Sequence, residues 1–325
     1  KDENTTIKRQ IKLVVGGNEE RGSACLHYYF HTLKKPHPTY GFTPDAAFPL
    51  IYGEKGIMGY QFEGIVTDTV IRALQGGIVS NSVPEEAKAT LCWSDDLQPS
   101  FMRFLQTYQL AGRYQQKDDS IELTVFGKAA HGSTPDKGIN ALVYLLQFIA
   151  ENTSSQLAAH FAPRFTSFYG DGLGVASENE LMGKLTVNVG IGEYDGNAYR
   201  FVLNIRYPNH VDGQWIVQQL QRAAWHHGRL LNDSPPLFVD PESTLVQTLL
   251  RAYQKVTNDV IAKPFTIGGG TYARQTINTV AFGMDFPNSP RGSGKIHSPD
   301  ECLHIQDLFD GIEIYYEALL DLATK

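Results

Sequence analysis

Apolar and polar positions change rhythm along this chain. From Ile121 to Phe126 they alternate with a period of two, as in an antiparallel strand with one face to solvent. Leu185–Ile191 and Tyr199–Tyr207 are apolar runs around Glu193-Tyr-Asp-Gly-Asn197, whose Asp-Gly pair predicts a hairpin. Amphipathic stretches at about Ile139–Asn152 and Gly213–Leu231 predict two helices beside these strands. The two ends read differently. An apolar run, Ile11–Val15, meets Gly16-Gly17-Asn18-Glu19-Glu20, and a helical stretch follows from about Gly22 to Leu33. After a loop, an extended run passes through Tyr52-Gly-Glu-Lys-Gly56 and on from Ile57 to Val66. From Asp240 a helix near Ser243–Thr257 leads to strand Pro264–Ile267, three glycines, a helix near Thr271–Ile277 and strand Val280–Met284. The last helix places Ile305, Leu308, Phe309, Ile312, Tyr316, Leu319 and Leu320 on one face, the predicted core face. Strand–glycine–helix units are the grammar of α/β folds. The expected architecture is a split α/β catalytic domain, residues 1–53 and 239–325, carrying an inserted α+β lid domain, residues 54–238.

Length and composition support that layout. A chain of 325 residues exceeds what one core of about 250–300 residues usually holds. With 42% hydrophobic and 19% charged residues the chain is globular in composition. The balance of 28 Lys and Arg against 35 Asp and Glu gives −7, with no basic stripe for a nucleic acid. No apolar run reaches the roughly 18–20 residues of a membrane helix. Cys25, Cys92 and Cys302 are odd in number and far apart, which argues against a disulfide framework and for a reducing, cytoplasmic setting. The charged stretch before Ile11 predicts a strand already deep in a sheet, as if an N-terminal part were missing.

Several residues offer chemistry. Glu19 and Glu20 follow two glycines at a strand's carboxyl end, where one carboxylate can ligate a metal and its neighbour hold a water; a solvated acidic pair at a helix start is the plainer reading. Asp45 follows Pro44 in a turn, and His297 lies in the irregular stretch Ser289–Pro299; with the glutamates they form a carboxylate and imidazole set that zinc accepts. His131 sits in a turn shaped by Gly132, Ser133 and Pro135, as a catalytic or a structural histidine. Arg206, in Asn204-Ile-Arg-Tyr-Pro208, suits a carboxylate in bidentate fashion or a surface ion pair. Gly268-Gly269-Gly270-Thr271 offers bare backbone N–H groups to an anion, but lacks the Lys-Ser/Thr of a phosphate loop. No G-x-S-x-G elbow occurs. Gly77 with Asn81 and Pro84 is echoed by Gly127 with His131 and Pro135, which suggests two related halves within the lid.

In this order the motifs resemble those of the M20 metallopeptidases, most closely the PepV-like bacterial dipeptidases, a group that includes Xaa-His (carnosinase-like) dipeptidases. The matching pieces are Gly17-Asn18-Glu19-Glu20, Thr43-Pro-Asp45 with Tyr52-Gly-Glu-Lys-Gly56, Gly127-x-x-x-His131-Gly-Ser-x-Pro135, Asn204-Ile-Arg-Tyr-Pro208, Gly268-Gly-Gly-Thr-Tyr-Ala-Arg274 and His297. The resemblance implies a metal-dependent dipeptidase with two zinc ions, or manganese or cobalt in their place. Glu19 would be the general base. Glu20 and His297 would ligate one metal and Asp45 the other. His131 would stabilise the oxyanion, and Asn81, Arg206 and the backbone of Gly269, Gly270 and Thr271 would hold the terminal carboxylate of a dipeptide. The family pattern also needs an earlier His-x-Asp segment and a bridging aspartate. Only eighteen residues precede Glu19, and no histidine precedes His27, so half the metal centre is missing from these residues and the chain by itself is expected to be inactive. An amidohydrolase of N-acyl amino acids and a catalytically silent binding domain are the alternatives. For the complete enzyme the large lid predicts a monomer.

Overall fold

The computed structural model describes residues 6–19, 22–287, 289, 291 and 300–324. Two compact units emerge: residues 56–235, and residues 1–55 together with 236–325.

The 56–235 unit is built on an eight-stranded sheet, antiparallel at every pairing. Its order is His227–Ser234, Gly56–Ile65, Ala198–Tyr207, Thr186–Tyr194, Ile71–Gly76, Glu86–Cys92, Ser120–Phe126 and Ala111–Lys117. Gly56–Ile65 pairs along its whole length with Ala198–Tyr207, from Tyr207 opposite Gly56 to Ala198 opposite Ile65. Helices Leu97–Thr107, Ala141–Asn152 and Gln156–Phe165 contribute Phe101, Leu145, Phe148 and Phe161 to a core shared with Tyr60, Phe62 and Phe201 of the strands. Asp68 staples this layer. It accepts the amides of Val70, Ile71 and Leu157 and the Ser155 hydroxyl, at 2.9–3.0 Å. Burial pushes this carboxyl up, but the amides and the hydroxyl outweigh it and hold Asp68 below the usual range.

The predicted helix Gly213–Leu231 is only half a helix. It starts at Gly213, where the Asp212 carboxylate accepts the Gln214 amide at 2.9 Å, and stops at Ala223. Residues His227–Ser234 instead pair with Gly56–Ile65. Gly228 is a poor helix former and lies where any Cβ would strike the Tyr60 hydroxyl, and the main chain of Gly56–Ile65 needs a neighbour on that side.

In the second unit, strand Ile51–Glu54 is central. It pairs in parallel with Phe265–Ile267 and antiparallel with Leu237–Phe238, and bridges Thr279–Ala281, which runs parallel to Gly41–Thr43. Helices Thr244–Thr257 and Ile305–Thr324 close its core around Phe48, Leu50, Leu249, Tyr253, Phe282 and Ile314. Three expectations change here. Ile11–Val15 is irregular and exposed, with Leu13 at 85%, because no described strand lies alongside to complete its hydrogen bonds. The helix near Thr271–Ile277 is a single 3₁₀ turn, Tyr272–Gln275. The last helix turns its small face inward: Gly311, Ile314 and Ala318 are buried, while Phe309 and Ile312 are 58% and 54% exposed. Gly311 allows the close approach, since a Cβ there would come within 2.8 Å of the Met284 sulfur. Tyr315 stacks on Phe42 at 5.6 Å. Among the described residues no helix is long and apolar enough to cross a membrane.

Candidate functional site

Glu19 follows a well-anchored Asn18, and its own carbonyl accepts the Gly22 amide at 3.1 Å. The Asn18 carbonyl and side chain accept the amides of Ser23 and Ala24 at 2.8 and 3.0 Å, wrapping the loop around the start of helix Ala24–His27. The Asn18 amide donates to the Tyr272 hydroxyl at 3.4 Å, and that hydroxyl lies 3.2 Å from the Cys25 sulfur. The hydrogen bond from Tyr272 draws the Cys25 thiol below its usual value. Tyr272 is itself pushed up by that contact, by burial and by the nearby Glu19 charge. Glu19 is half-buried.

Asp45 is also half-buried and accepts the Ala46 amide at 2.7 Å. The same turn is tied to Asp285, whose amide donates to the Ala46 carbonyl at 2.9 Å. Among the described residues, one carboxylate oxygen of Asp285 is buried with no hydrogen-bond partner. The donors in this unit are thus of the carboxylate kind a divalent cation accepts. Among the described residues, however, no group of three or more potential ligands converges, so they do not make a metal centre by themselves. Glu20 and His297, the other two expected ligands, lie outside the described residues.

The glycine run follows strand Phe265–Ile267. Gly270 is exposed, whereas Thr271 is 4% exposed and turns inward. Its hydroxyl and amide donate to the Glu54 carboxylate at 2.7 and 3.2 Å. Arg274 approaches the same carboxylate at 3.4 Å and donates to the Lys55 carbonyl at 2.8 Å. Glu54 is fully buried. Burial raises its pKa to about 7, against the opposing pull of Thr271 and Arg274.

In the 56–235 unit the two echoed segments meet. Ser82 bridges His131, and the Gly132 amide donates to the Asn81 carbonyl at 2.7 Å. Asn81 and His131 are both exposed. Asn188, fully buried on Thr186–Tyr194, donates to the carbonyls of Ser80 and Ser82 at 2.9 and 2.8 Å. Asn140, at the end of the His131 motif, donates to the Val189 carbonyl at 3.0 Å and caps helix Ala141–Asn152 through Val143. Gly77 adopts a positive φ of 73°, and a Cβ there would collide with the Gly190 carbonyl. Nδ1 of His131 accepts the Ser133 amide at 3.2 Å and lies 2.7 Å from the Ser133 hydroxyl. A neutral ring that accepts an amide at Nδ1 carries its proton on Nε2. Arg206 is 5% exposed, its Nε donating to Asn204 at 2.9 Å, and its strand neighbours are Thr186 and Ile57. A groove of about 460 Å³ lined by Gly77, Val79, Ser82 and Pro84 includes none of these candidates.

The description of Peptidase family M20/M25/M40 matches residues 1–321. The chain belongs to this family. A relative from Staphylococcus aureus (strain bovine RF122 / ET3-1), named "Putative dipeptidase", is 34% identical over 343 residues, covering 100% of this chain and 72% of its own. One of the same name from Staphylococcus haemolyticus is 34% identical over 337 residues, covering 98% of this chain and 71% of its own. Among solved structures, the aminoacylhistidine dipeptidase of Vibrio alginolyticus aligns with a TM-score of 0.46 at 14% identity, over 89% of this chain and 67% of that one. Human carnosine dipeptidase 1 aligns at 0.44 and 10%, over 95% and 65%.

Within this M20 chain, Glu54, Tyr272, Asn140 and Asn188 are the residues that sequence reading left without a role. Glu54 did carry a signal: with Lys55 it interrupts the apolar run from Ile51-Tyr52 to Ile57-Met58 that otherwise reads as buried strand.

Proposed function

We propose that this protein is a metal-dependent dipeptidase that hydrolyses the peptide bond of short peptides with a free amino end. The observation that carries the reading is the M20 match over residues 1–321, joined to relatives of the same dipeptidase name at 34% identity. Glu20, Asp45 and His297 are the residues that would hold the metal, zinc or alternatively manganese or cobalt. When bound, the metal supplies an acidified water and neutralises the crowded carboxylates. Glu19 takes the proton of the attacking water. His131 donates from Nε2 to the oxygen that gains charge as the carbonyl carbon becomes tetrahedral, the role its hydrogen bonds at Nδ1 favour. Arg206, Asn81 and the Gly269–Gly270 backbone hold the substrate's terminal carboxylate, with Thr271 anchored behind the two glycines. The setting proposed is a reducing cytoplasm, and the working form a monomer.

The test compares dipeptides with N-acetyl amino acids in excess zinc, on the full-length protein. Dipeptides are expected to have the higher kcat/KM, and Glu19→Gln to lower kcat by about 10²–10⁴ without loss of bound zinc. A preference for N-acetyl amino acids would make the protein an amidohydrolase, and binding without turnover would make it a silent domain. By ligand count, the 325 residues alone are expected to hold zinc at partial occupancy and to be inactive or nearly so, because catalytic zinc normally has about three protein ligands. Stoichiometric zinc with fast turnover would show that count to be wrong.

A further inference from the structure

The buried carboxylate of Glu54 is not used by the reaction proposed above, yet its surroundings are built around the glycine run. Strand Ile51–Glu54 ends opposite Ile267, the last residue before the glycines, and the Lys55 amide donates to the Ile267 carbonyl at 2.9 Å. That pins the entry to the run. The exit is pinned by the same two residues: Thr271 delivers its amide and hydroxyl to the Glu54 carboxylate, and Arg274 spans Glu54 and the Lys55 carbonyl. Gly268, Gly269 and Gly270 therefore form a short loop whose two ends close on one dipeptide, Glu54-Lys55.

Three successive glycines have more backbone freedom to lose than any other tripeptide. Left to themselves they would not hold their amides in a fixed direction. Turning Thr271 inward fixes the exit of the loop and leaves Gly270 exposed. The charge arrangement suits an anion as well. Glu54 is matched by Arg274, also largely buried, so an arriving carboxylate does not face an uncompensated negative charge.

We propose that Glu54 is a positioning residue, which acts through Thr271 and with Arg274 as its counter-charge to hold the Gly268–Gly270 loop ready for a substrate carboxylate. The inference rests on the reading that this loop receives the carboxylate, and the experiment separates the two. Calorimetry on the zinc-supplemented protein compares a dipeptide with the same dipeptide amidated at its C-terminus. Wild type is expected to bind the free acid at least about tenfold more tightly, the scale of one good charge-assisted hydrogen bond. Glu54→Gln is expected to weaken binding of the acid about tenfold while leaving the amide unchanged. Thr271→Val should do the same, and Thr271→Ser, which keeps the hydroxyl, should restore it. If Glu54→Gln does not fold, the two threonine variants decide. Folded variants that keep the wild-type preference for the acid, or that lose acid and amide equally, would overturn the positioning role. A wild type that does not distinguish acid from amide would instead overturn the reading of the loop, and this inference with it.

Discussion

The Ser133 amide donates to Nδ1 of His131, and in a neutral ring that contact puts the proton on Nε2. A proton on Nε2 can stabilise a developing oxyanion but does little for the neutral carbonyl that precedes it. His131→Ala is therefore expected to lower kcat about 10²–10³-fold with a much smaller change in KM, read from steady-state kinetics on a dipeptide. An effect confined to KM would make His131 a ground-state contact. Glu54 yields a different kind of prediction. Its folded pKa of about 7 lies above its ordinary 4.5, so the folded protein keeps that proton when the unfolded chain has released it. The stabilisation is complete below pH 4.5 and is lost as pH rises through 7, by about 3 kcal/mol in all. His160, whose pKa is lowered by burial and by Arg164, works in the opposite sense over part of this range. The measurement is therefore the difference between wild-type and Glu54→Gln denaturation curves from pH 4.5 to 8. A difference that stays constant across that range would contradict the raised pKa. The turns that carry His131 and Asn81 were legible in the sequence through their glycines and prolines, and the two segments do meet. Glu54 showed only as a charge inside an apolar run, because its partner Thr271 lies 217 residues further on.

Helix Ile305–Thr324 shows how an element can be read correctly and oriented wrongly. Its length and period are plain in the sequence, and two faces compete: a stripe of large apolar residues, and a face of Gly311, Ile314 and Ala318. Hydrophobicity alone selects the first. Packing selects the second, since only small residues let the helix approach Met284 and lay Tyr315 over Phe42. Ile314→Ala is expected to cost about 2–5 kcal/mol, the range for truncating a fully buried aliphatic side chain. Phe309→Gln should stay within about 0.5 kcal/mol. Urea titrations of both variants would report this contrast, and a large loss at Phe309 would return the exposed stripe to the core. The stretch Gly213–Leu231 carries a similar lesson. Its second half has helical spacing, but an unfilled sheet edge at Gly56–Ile65 outweighs a weak local preference.

The order of motifs along 325 residues points to the family by itself, because six weak signals in one sequence order are far less probable together than apart. Period-two alternation gives way to strand–glycine–helix units along the chain, and each of the two units has its own core. Both cores are large enough to unfold cooperatively by themselves. Trp93, Trp215 and Trp225 all belong to the 56–235 unit, and Trp93 and Trp225 pack against its core. Tryptophan fluorescence thus follows that unit alone, while far-ultraviolet circular dichroism follows both. The expected outcome of a thermal scan is that the two signals do not superimpose. Coincident curves would mean that the units melt as one.

The pairing of Gly56–Ile65 with Ala198–Tyr207 sets an order on the birth of the protein. Gly56–Ile65 leaves the ribosome some 130 residues before the start of the strand that will flank it on one side, and still longer before His227–Ser234 covers the other. At about 5–20 residues per second, that is roughly seven to twenty-seven seconds in which Met58, Tyr60 and Phe62 have no sheet to enter. Slow codons would lengthen this interval, and the nascent chain, not the finished protein, is where they would be felt.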